Sequence, residues 1–441
     1  MCKENNGSNN RIAGGGAALK KGLRCPICTG CGLCPGIIPE GSIAGGLRVL
    51  AEDALLGERL PIKDAHFMER SPIEHARRLA VADVGTTTVA MLLYTNDGSV
   101  EERFVAVNPQ TGYGADVISR IRAAEDRNAA KDMQNQILQV LEQGIDRFRG
   151  RLKEGEELFL VLAANTTMTY LLMGWDPAEL GHAPFRATRL ESVETKICGV
   201  PCFVFPGLSA FVGGDIVAGI YACGMCGKGL TLLLDLGTNG EIVLGNSEKR
   251  IACATAAGPA FEGGVNRGIW GADMISLLAR LRREGILDET GLLAEPYFTD
   301  GIRIGNVRVT KEAVRSVQLA KGAIAAGIET LLKRFGADVK EIERVVLAGG
   351  FGYYLQPGAA ADIGLFPREL ADRTVTGGNT ALSGALMAGR YILSGGTCRS
   401  FGKMLKETVL CTEVMNLAED PGFEQRYLSR LSLDCFSIPN K

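Results

Sequence analysis

No stretch of the 441-residue sequence approaches the roughly 20 consecutive apolar residues that a membrane-spanning helix needs. The amino terminus, MCKENNGSNN, lacks the apolar core of a secretory signal. An excess of one charge is also absent, because 48 Lys and Arg residues nearly balance 50 Asp and Glu residues. These absences argue against a membrane or a nucleic acid as partner and predict a cytoplasmic protein.

Histidine is scarce, with only 3 residues, and aromatic residues make up 6% of the chain. His182 has no partner at metal-ligand spacing, so a structural role is the simpler interpretation. Cysteine, by contrast, occurs 13 times. In a reducing cytoplasm these thiols stay reduced, so a cluster of cysteines favours metal binding over disulfides.

Four cysteines form such a cluster near the amino terminus. Cys25, Cys28, Cys31 and Cys34 are separated by two residues each, and Pro35 follows the last. This spacing lets successive thiolates converge on one centre. It is similar to the ligand run of bacterial-type iron–sulfur proteins, although those leave three residues before the last cysteine. A zinc site and a relic of a ferredoxin module that binds no metal also fit the spacing.

The most informative stretch covers residues 231–241, TLLLDLGTNGE. Its apolar run predicts a buried central strand that ends in Asp235, and the two glycines predict a tight hairpin after it. A carboxylate at this position can hold Mg²⁺ through water. Taken alone, the stretch also fits a hairpin whose polar residues only satisfy turn hydrogen bonds. The residues predicted to contact a nucleotide phosphate here are Gly237, Thr238, Asn239, Gly240 and Glu241.

A second copy of this pattern lies upstream, in residues 79–94, LAVADVGTTTVAMLLY. Duplication explains two strand–Asp–hairpin units better than chance does, and it predicts two similar lobes that clamp one phosphate chain. Asp83 is then the second carboxylate that holds the metal through water. The residues predicted to flank the phosphates from this side are Gly85, Thr86, Thr87 and Thr88.

Two further stretches are predicted to lie near the cleft. Asn165 and Thr166 follow an apolar strand at the start of a helix, where they cap the helix or reach the ligand. Glu262 follows a Gly-Pro turn, where it orients a water molecule or caps.

Residues 344–352 predict a buried strand that breaks into glycines. Gly349, Gly350 and Gly352 lack side chains, which lets a flat base and ribose approach the backbone. Before this strand, residues 310–335 predict a long helix, and Lys321 within it is a candidate for pointing at the nucleotide.

The chain divides into five predicted segments. They are a disordered tail (1–20), a cysteine-rich segment (21–36), a linker (37–78), a first lobe (79–206) and a second lobe (207–441).

The paired turns resemble the two phosphate motifs of the actin-like ATPase superfamily, which includes sugar kinases, acetate kinases and heat-shock chaperones. This resemblance implies an α/β fold with two actin-like, ribonuclease H-like lobes around a nucleotide cleft. It also implies that residues 344–352 form the adenosine motif, and that the Gly/Ala-rich helix of residues 377–388 crosses between the lobes.

A narrower resemblance is to the reductive activators of corrinoid proteins, over roughly residues 79–440. Members of that family use ATP to drive one electron onto cob(II)alamin in a methyl-transferring corrinoid protein, which restores cob(I)alamin. The stretches that carry the resemblance are 83–88 (DVGTTT), 108–120 (NPQTGYGADVISR), 235–241 (DLGTNGE), 256–263 (AAGPAFEG), 318–321 (QLAK) and 347–352 (LAGGFG).

The family resemblance implies ATP and Mg²⁺ as cofactors, a corrinoid protein as partner, and an electron donor such as a ferredoxin or a reductase. In the family the electron enters through an iron–sulfur module, and the cysteine-rich segment is the candidate for that module here. A related activator of 2-hydroxyacyl-CoA dehydratases holds its cluster between two subunits, which makes a homodimer a candidate assembly for this protein. Two further classes share the paired turns. They are a small-molecule kinase, for which no substrate insertion with a general base is evident, and a non-enzymatic actin-like or chaperone ATPase.

Overall fold

The computed structural model describes residues 77–237, 239–256, 271–304 and 307–438. The cysteine-rich segment of residues 21–36 lies outside them, as do the tail and nearly all of the linker. Two six-stranded sheets dominate the described part of the chain. The predicted α/β fold class is therefore confirmed.

The first sheet has the order β3-β2-β1-β4-β6-β5. Strands β1 and β2 form an antiparallel hairpin, and β1 pairs in parallel with β4. The strands are β1 (Arg77–Val84), β2 (Thr88–Tyr94), β3 (Val100–Val107), β4 (Glu157–Ala164), β5 (Val193–Ile197) and β6 (Val200–Val204).

Four helices accompany this sheet: α1 (Val117–Ala123), α2 (Arg127–Arg149), α3 (Thr166–Met173) and α4 (Ala178–Gly181). Helix α2 packs Ile137 and Leu141, one turn apart, against the sheet face formed by alternate residues of β1. Helix α2 begins at Arg127 because the Asp126 side chain accepts hydrogen bonds from the backbone of residues 128 and 129 and caps the helix there.

The second sheet repeats the arrangement of the first, in the order β13-β12-β7-β8-β9-β14. Strands β7 and β8 form an antiparallel hairpin, and β7 pairs in parallel with β12. The strands are β7 (Leu230–Leu236), β8 (Gly240–Gly245), β9 (Arg250–Thr255), β12 (Ile342–Ala348), β13 (Thr374–Gly378) and β14 (Thr412–Val414), with β10 (Ile302–Ile304) and β11 (Val307–Val309) paired separately.

Among the described residues, eight helices follow the first sheet: α5 (Gly214–Ala222), α6 (Gly271–Arg283), α7 (Lys311–Phe335), α8 (Gly349–Tyr354), α9 (Pro357–Asp362), α10 (Thr380–Leu393), α11 (Cys398–Leu410) and α12 (Phe423–Ser429). The apolar run of β7 is continuous because both of its faces are covered: Leu232 and Leu234 lie in the cluster that includes α7, whereas Leu233 packs with α5.

Helices α5 and α10 connect the two halves. The α5 residues Val217 and Ala218 pack with the first sheet, while Ile216 and Ile220 pack with the second. Helix α10 starts directly after β13 of the second sheet but packs on β1 and β4 of the first. The two helices cross closely, because a Cβ atom at Gly384 would lie 2.2 Å from the Ala218 carbonyl oxygen. The first turn of α5 therefore lies where the two sheets meet.

Candidate functional site

The two predicted turns occupy equivalent places in the two sheets. Asp83 is the penultimate residue of β1, before the turn to β2, and Asp235 is the penultimate residue of β7, before the turn to β8. Their charges act on each other, since the charge of Asp83 contributes to the raised pKa of Asp235. The duplicated pattern thus brings two carboxyl groups near each other between the sheets.

Burial dominates the electrostatics of both carboxyl groups. Burial raises the pKa of Asp83 to about 6, against the opposing effect of a hydrogen bond from Asn379. Burial, and then the negative charge of Asp83, raise the pKa of Asp235 to about 7. An ionised carboxylate is costly in such a place unless a cation or a hydrogen-bond donor compensates it.

Two more acidic residues complete an acidic cluster of Asp83, Asp215, Asp235 and Glu241. Burial, followed by the charges of Asp235 and Asp83, raises the pKa of Asp215 to about 8. Burial, followed by the charges of Asp215 and Asp235, raises the pKa of Glu241 well above its usual value. Glu241 lies opposite Asp235 in the β7–β8 pairing. Sequence reasoning missed Asp215; the only signal was its position after two glycines, at the start of a small-residue helix.

The acidic cluster suits a hydrated divalent cation better than a directly ligated one. Within the described residues, no group of three Asp, Glu, His or Cys side chains is close enough to hold a metal ion directly. Four mutually repelling carboxyl groups still favour a cation, and Mg²⁺ commonly keeps several of its waters when protein carboxylates bind it. The arrangement therefore fits a Mg²⁺ ion held through its water shell.

Asn379 links the acidic cluster to the helix that joins the sheets. Its side-chain amide donates a 2.7 Å hydrogen bond to Asp83 Oδ2. Its Oδ1 atom accepts from the Leu382 N–H at 2.8 Å and caps α10. One side chain thus connects the first turn to the start of α10.

The first turn, residues 85–88, is held by side chains of its own lobe. Asn165 caps α3 by accepting from the Met168 N–H at 2.9 Å, which confirms the predicted capping role. Its amide also donates to Thr86 Oγ1 at 3.0 Å. Thr166 is buried and donates from Oγ1 to the Ser209 carbonyl oxygen at 2.6 Å. A ligand role for these two residues stays a prediction.

The second turn lies between β7 and β8. The Gly237 N–H donates to the Asn239 carbonyl oxygen at 2.9 Å and closes the turn. The Gly240 carbonyl oxygen accepts from Thr255 Oγ1 at 3.0 Å, which ties the turn to β9. The predicted site residues Thr238 and Glu262 lie outside the described residues.

The glycine-rich break after β12 approaches Asp235. Gly349 has φ of +78°, and a Cβ atom there would lie 2.6 Å from Asp235 Oδ1. Neither that conformation nor that space suits another residue. A Cβ atom at Gly350 would have no described atom within 4 Å, and the nearest atoms to one at Gly352 would be those of Leu347, at 3.4 Å or more. The break thus lies beside the second turn, with open space at Gly350.

Lys321 lies buried in α7 and has backbone partners. Its Nζ atom donates to the carbonyl oxygen of Ser432 and, at 3.5 Å, to that of Gly364. Burial lowers the pKa of Lys321 to about 7. These contacts join α7 to the carboxy-terminal segment, and the predicted role at the nucleotide stays a prediction.

His182 lies exposed at the end of α4. Its Nδ1 atom is 2.9 Å from the Ala178 carbonyl oxygen, which is a local contact.

Across the described ranges, no helix is both long and apolar enough to span a bilayer.

The described chain has two repeated sheets, each with a strand–Asp–hairpin unit, and helices that cross between the sheets. These features define an actin-like, two-lobed α/β protein. The family models identify the chain further. The model for the RACo middle region matches residues 79–228, and the model for the C-terminal domain of RACo, the ASKHA domain, matches residues 229–267 and 265–438. The chain belongs to the RACo family.

Two known proteins with similar sequences agree with this assignment. The corrinoid activation enzyme RamQ of Eubacterium limosum is 28% identical over 417 residues, which cover 78% of this chain and 68% of RamQ. A solved structure of a reductive activator for corrinoid, iron–sulfur protein matches with a TM-score of 0.71 and 28% identity, over 82% of this chain and 66% of that one. The chain thus spans about two thirds of the length of each. The predicted resemblance to reductive activators of corrinoid proteins is confirmed.

Proposed function

We propose that the protein is an ATP-dependent reductive activator of a corrinoid protein. In the reaction, an electron donor such as a ferredoxin or a reductase loses one electron, and the cobalt(II) of the substrate cob(II)alamin gains it to become cobalt(I). The observation that carries the proposal is the pair of equivalent aspartates, Asp83 and Asp235, close to each other in a chain of the RACo family. Similarity to two proteins named as corrinoid activators supports the choice of partner.

Asp83 and Asp235 would hold the water shell of Mg²⁺, and the turns at residues 85–88 and 237–240 would flank the phosphates. When bound, Mg²⁺ supplies the positive charge that the acidic cluster lacks, and ATP supplies the free energy of phosphate transfer to water. Glu241 and Asp215 add two more carboxyl groups beside the metal-holding pair, and a bound cation would lower their raised pKa values. Because phosphate is also negative, the cluster would bind the nucleotide only together with its cation.

Coupling to electron transfer would come from the relative position of the two sheets. Asn379 and α10 connect Asp83 to the second sheet, and α5 packs against both sheets. If the sheets have two relative arrangements in equilibrium, a ligand can shift that equilibrium only by its difference in affinity for the two. A change in their populations from 1:99 to 99:1 requires a difference in binding free energy of about 5.5 kcal/mol. A nucleotide held by both turns can supply that difference, and a docked corrinoid partner can respond to it.

The electron route is proposed to run through Cys25, Cys28, Cys31 and Cys34 as ligands of an oxygen-sensitive iron–sulfur centre. The double substitution Cys28→Ser and Cys31→Ser should abolish iron-dependent visible absorption after anaerobic purification. It should leave ATP affinity near the wild-type value, since the cysteines and the acidic cluster are on separate segments. One equivalent of zinc without acid-labile sulfide in the wild-type protein would refute this part of the proposal.

The direct test is anaerobic. The protein, Mg·ATP, a strong one-electron reductant and candidate corrinoid proteins from the same cell are mixed, and the cobalt(II) absorption band is followed. ATP-dependent loss of that band supports the proposal. If no candidate is reduced and a sugar or carboxylate is phosphorylated instead, the protein is a small-molecule kinase.

A further inference from the structure

Three consecutive carbonyl groups of the first turn are held from inside the first lobe. The Gly85 oxygen accepts from Asn108 Nδ2 at 2.9 Å. The Thr86 oxygen accepts from Arg120 Nη2 at 2.6 Å. The Thr87 oxygen accepts from the Asn108 backbone N–H at 2.9 Å. Two residues far away in sequence thus fix the direction of three adjacent peptide groups.

The two donors are themselves fixed. Asn108 directly follows β3, is fully buried, and accepts from the Gln110 N–H at 3.0 Å through Oδ1. Arg120 lies on α1 with 0% of its surface exposed. Its Nε atom donates to the Gly114 carbonyl oxygen at 2.9 Å, and Nη1 lies 3.4 Å from Gln110 Oε1. The loop can approach α1 this closely because residue 114 is glycine: a Cβ atom there would lie 2.4 Å from the Ser119 Cβ atom.

The hydrogen bonds have a direct consequence for the phosphate side of the turn. In a planar trans peptide group, the C=O and the following N–H point in opposite directions. When the carbonyl groups of residues 85 and 86 point into the lobe, the N–H groups of Thr86 and Thr87 point away from its interior. Backbone N–H groups presented side by side in this way form an anion-binding turn. The guanidinium also places a positive charge immediately behind the turn, which favours an anion on its other side.

We propose that Arg120 and Asn108 are positioning residues that hold the first turn in the shape that binds the phosphate chain of ATP. This inference rests on the proposed nucleotide site. Because Arg120 is fully buried, it acts through the Thr86 carbonyl group and does not touch the nucleotide. Changing it should weaken binding of the phosphates and leave binding of the nucleoside unaffected.

A purely structural role is the competing explanation, and the chain contains a matched control for it. Arg250 is also buried, with 2% of its surface exposed, and also donates to backbone carbonyl groups, those of Met225, Asn246 and Thr408. It starts β9, at the opposite end of that strand from Thr255 and the second turn. Arg250→Lys removes a buried guanidinium in the same way, at a site with no hydrogen bond to either turn among those of its guanidinium given above.

The experiment compares Arg120→Lys and Arg250→Lys with the wild-type full-length protein. Affinities for Mg·ATP are measured by calorimetry, affinities for adenosine by competition, and thermal stability by unfolding. We expect Arg120→Lys to lower ATP affinity by about tenfold, the factor that corresponds to about 1.4 kcal/mol, with adenosine affinity unchanged. Arg250→Lys should lower thermal stability and leave the ratio of the two affinities at the wild-type value.

A second variant keeps the test decisive if Arg120→Lys does not fold. Asn108→Asp preserves the shape and the acceptor for Gln110 but replaces the donor to the Gly85 carbonyl oxygen by an acceptor. It too should lower ATP affinity selectively. An unchanged ratio of ATP to adenosine affinity in the variants that fold would overturn the inference and leave the nucleotide site intact. Failure of the wild-type protein to bind ATP would overturn both, whereas ATP binding without corrinoid reduction would refute only the proposed activity.

Discussion

Replacing Asp235 by Asn should stabilise the nucleotide-free protein at alkaline pH while it removes most ATP hydrolysis. Burial, followed by the charge of Asp83, raises the pKa of Asp235 from 3.8 to about 7. An acid whose pKa is raised by folding destabilises the folded state when it ionises, because the unfolded chain ionises at lower pH without that cost. Asparagine has nearly the same shape and stays neutral. In the proposed nucleotide site it would lack the charge needed to hold the cation, and positioning of the phosphates would be lost.

The two pKa values define the pH window of the effect. Below about pH 4 the Asp235 carboxyl group is protonated in both states and contributes no difference. From there to about pH 7 the wild-type protein loses stability relative to the variant, and above that range the difference stays constant. A pKa change from 3.8 to about 7 corresponds to about 4 kcal/mol at most. Because the side chain keeps partial contact with solvent, we expect about 2 kcal/mol.

Urea unfolding of both proteins at pH 5.5 and pH 9, without nucleotide or Mg²⁺, measures this effect. The variant should be more stable at pH 9 and show a smaller advantage at pH 5.5. Asp97→Asn is the matched control with the opposite sign, because a hydrogen bond from Thr95 lowers the pKa of the exposed Asp97 to about 2. A stability difference between wild type and Asp235→Asn that does not grow with pH would refute the reasoning.

Two further substitutions test the geometry around the cluster. Asn379→Asp keeps the acceptor that caps α10 but removes the donor to Asp83 and adds a like charge. The pKa of Asp83 should therefore rise above about 6, and the pH at which Mg·ATP affinity increases should shift upward. An unchanged pH profile of Mg·ATP affinity would contradict the assignment of Asp83 to the metal. Gly349→Ala should cost about 1–3 kcal/mol of stability and lower ATP affinity, because of its positive φ and its closeness to Asp235. Gly358→Ala is the control, since a Cβ atom there would have no described atom within 4 Å, and it should lower neither quantity. Equal effects of the two substitutions in denaturation and calorimetry would be evidence against this placement of Gly349.

The parts of the fold that the sequence predicted correctly are those determined by neighbouring residues. The apolar runs of β1 and β7, each followed by Asp and Gly, identify strands and hairpins from a few neighbouring residues. The repetition of that pattern then predicts the two similar sheets. Helix ends were less predictable, as α2 shows: its start depends on the cap at Asp126, a single side chain that lies outside the apolar periodicity.

Tertiary packing determined the parts that the sequence did not reveal. Asp215 joins the acidic cluster only because α5 packs against both sheets, which no local pattern indicates. Arg120 belongs to a stretch that resembles the family, yet its contact with Thr86 joins residues 34 positions apart. Lys321 was a candidate for pointing at the nucleotide, which stays a prediction, and its hydrogen bond to Ser432 joins residues 111 positions apart. Burial of a charge and long-range partners are properties of the folded chain.

The measurement that tests the central claim most directly is the rate of cob(I)alamin formation on a corrinoid partner under anaerobic conditions, with and without Mg·ATP, for the wild-type protein and for Asp235→Asn. Reduction that requires ATP in the wild-type protein and is lost in the variant, although the variant remains folded, is the result we predict. Reduction at the same rate without ATP, or undiminished in Asp235→Asn, would contradict an activator that works through this nucleotide site.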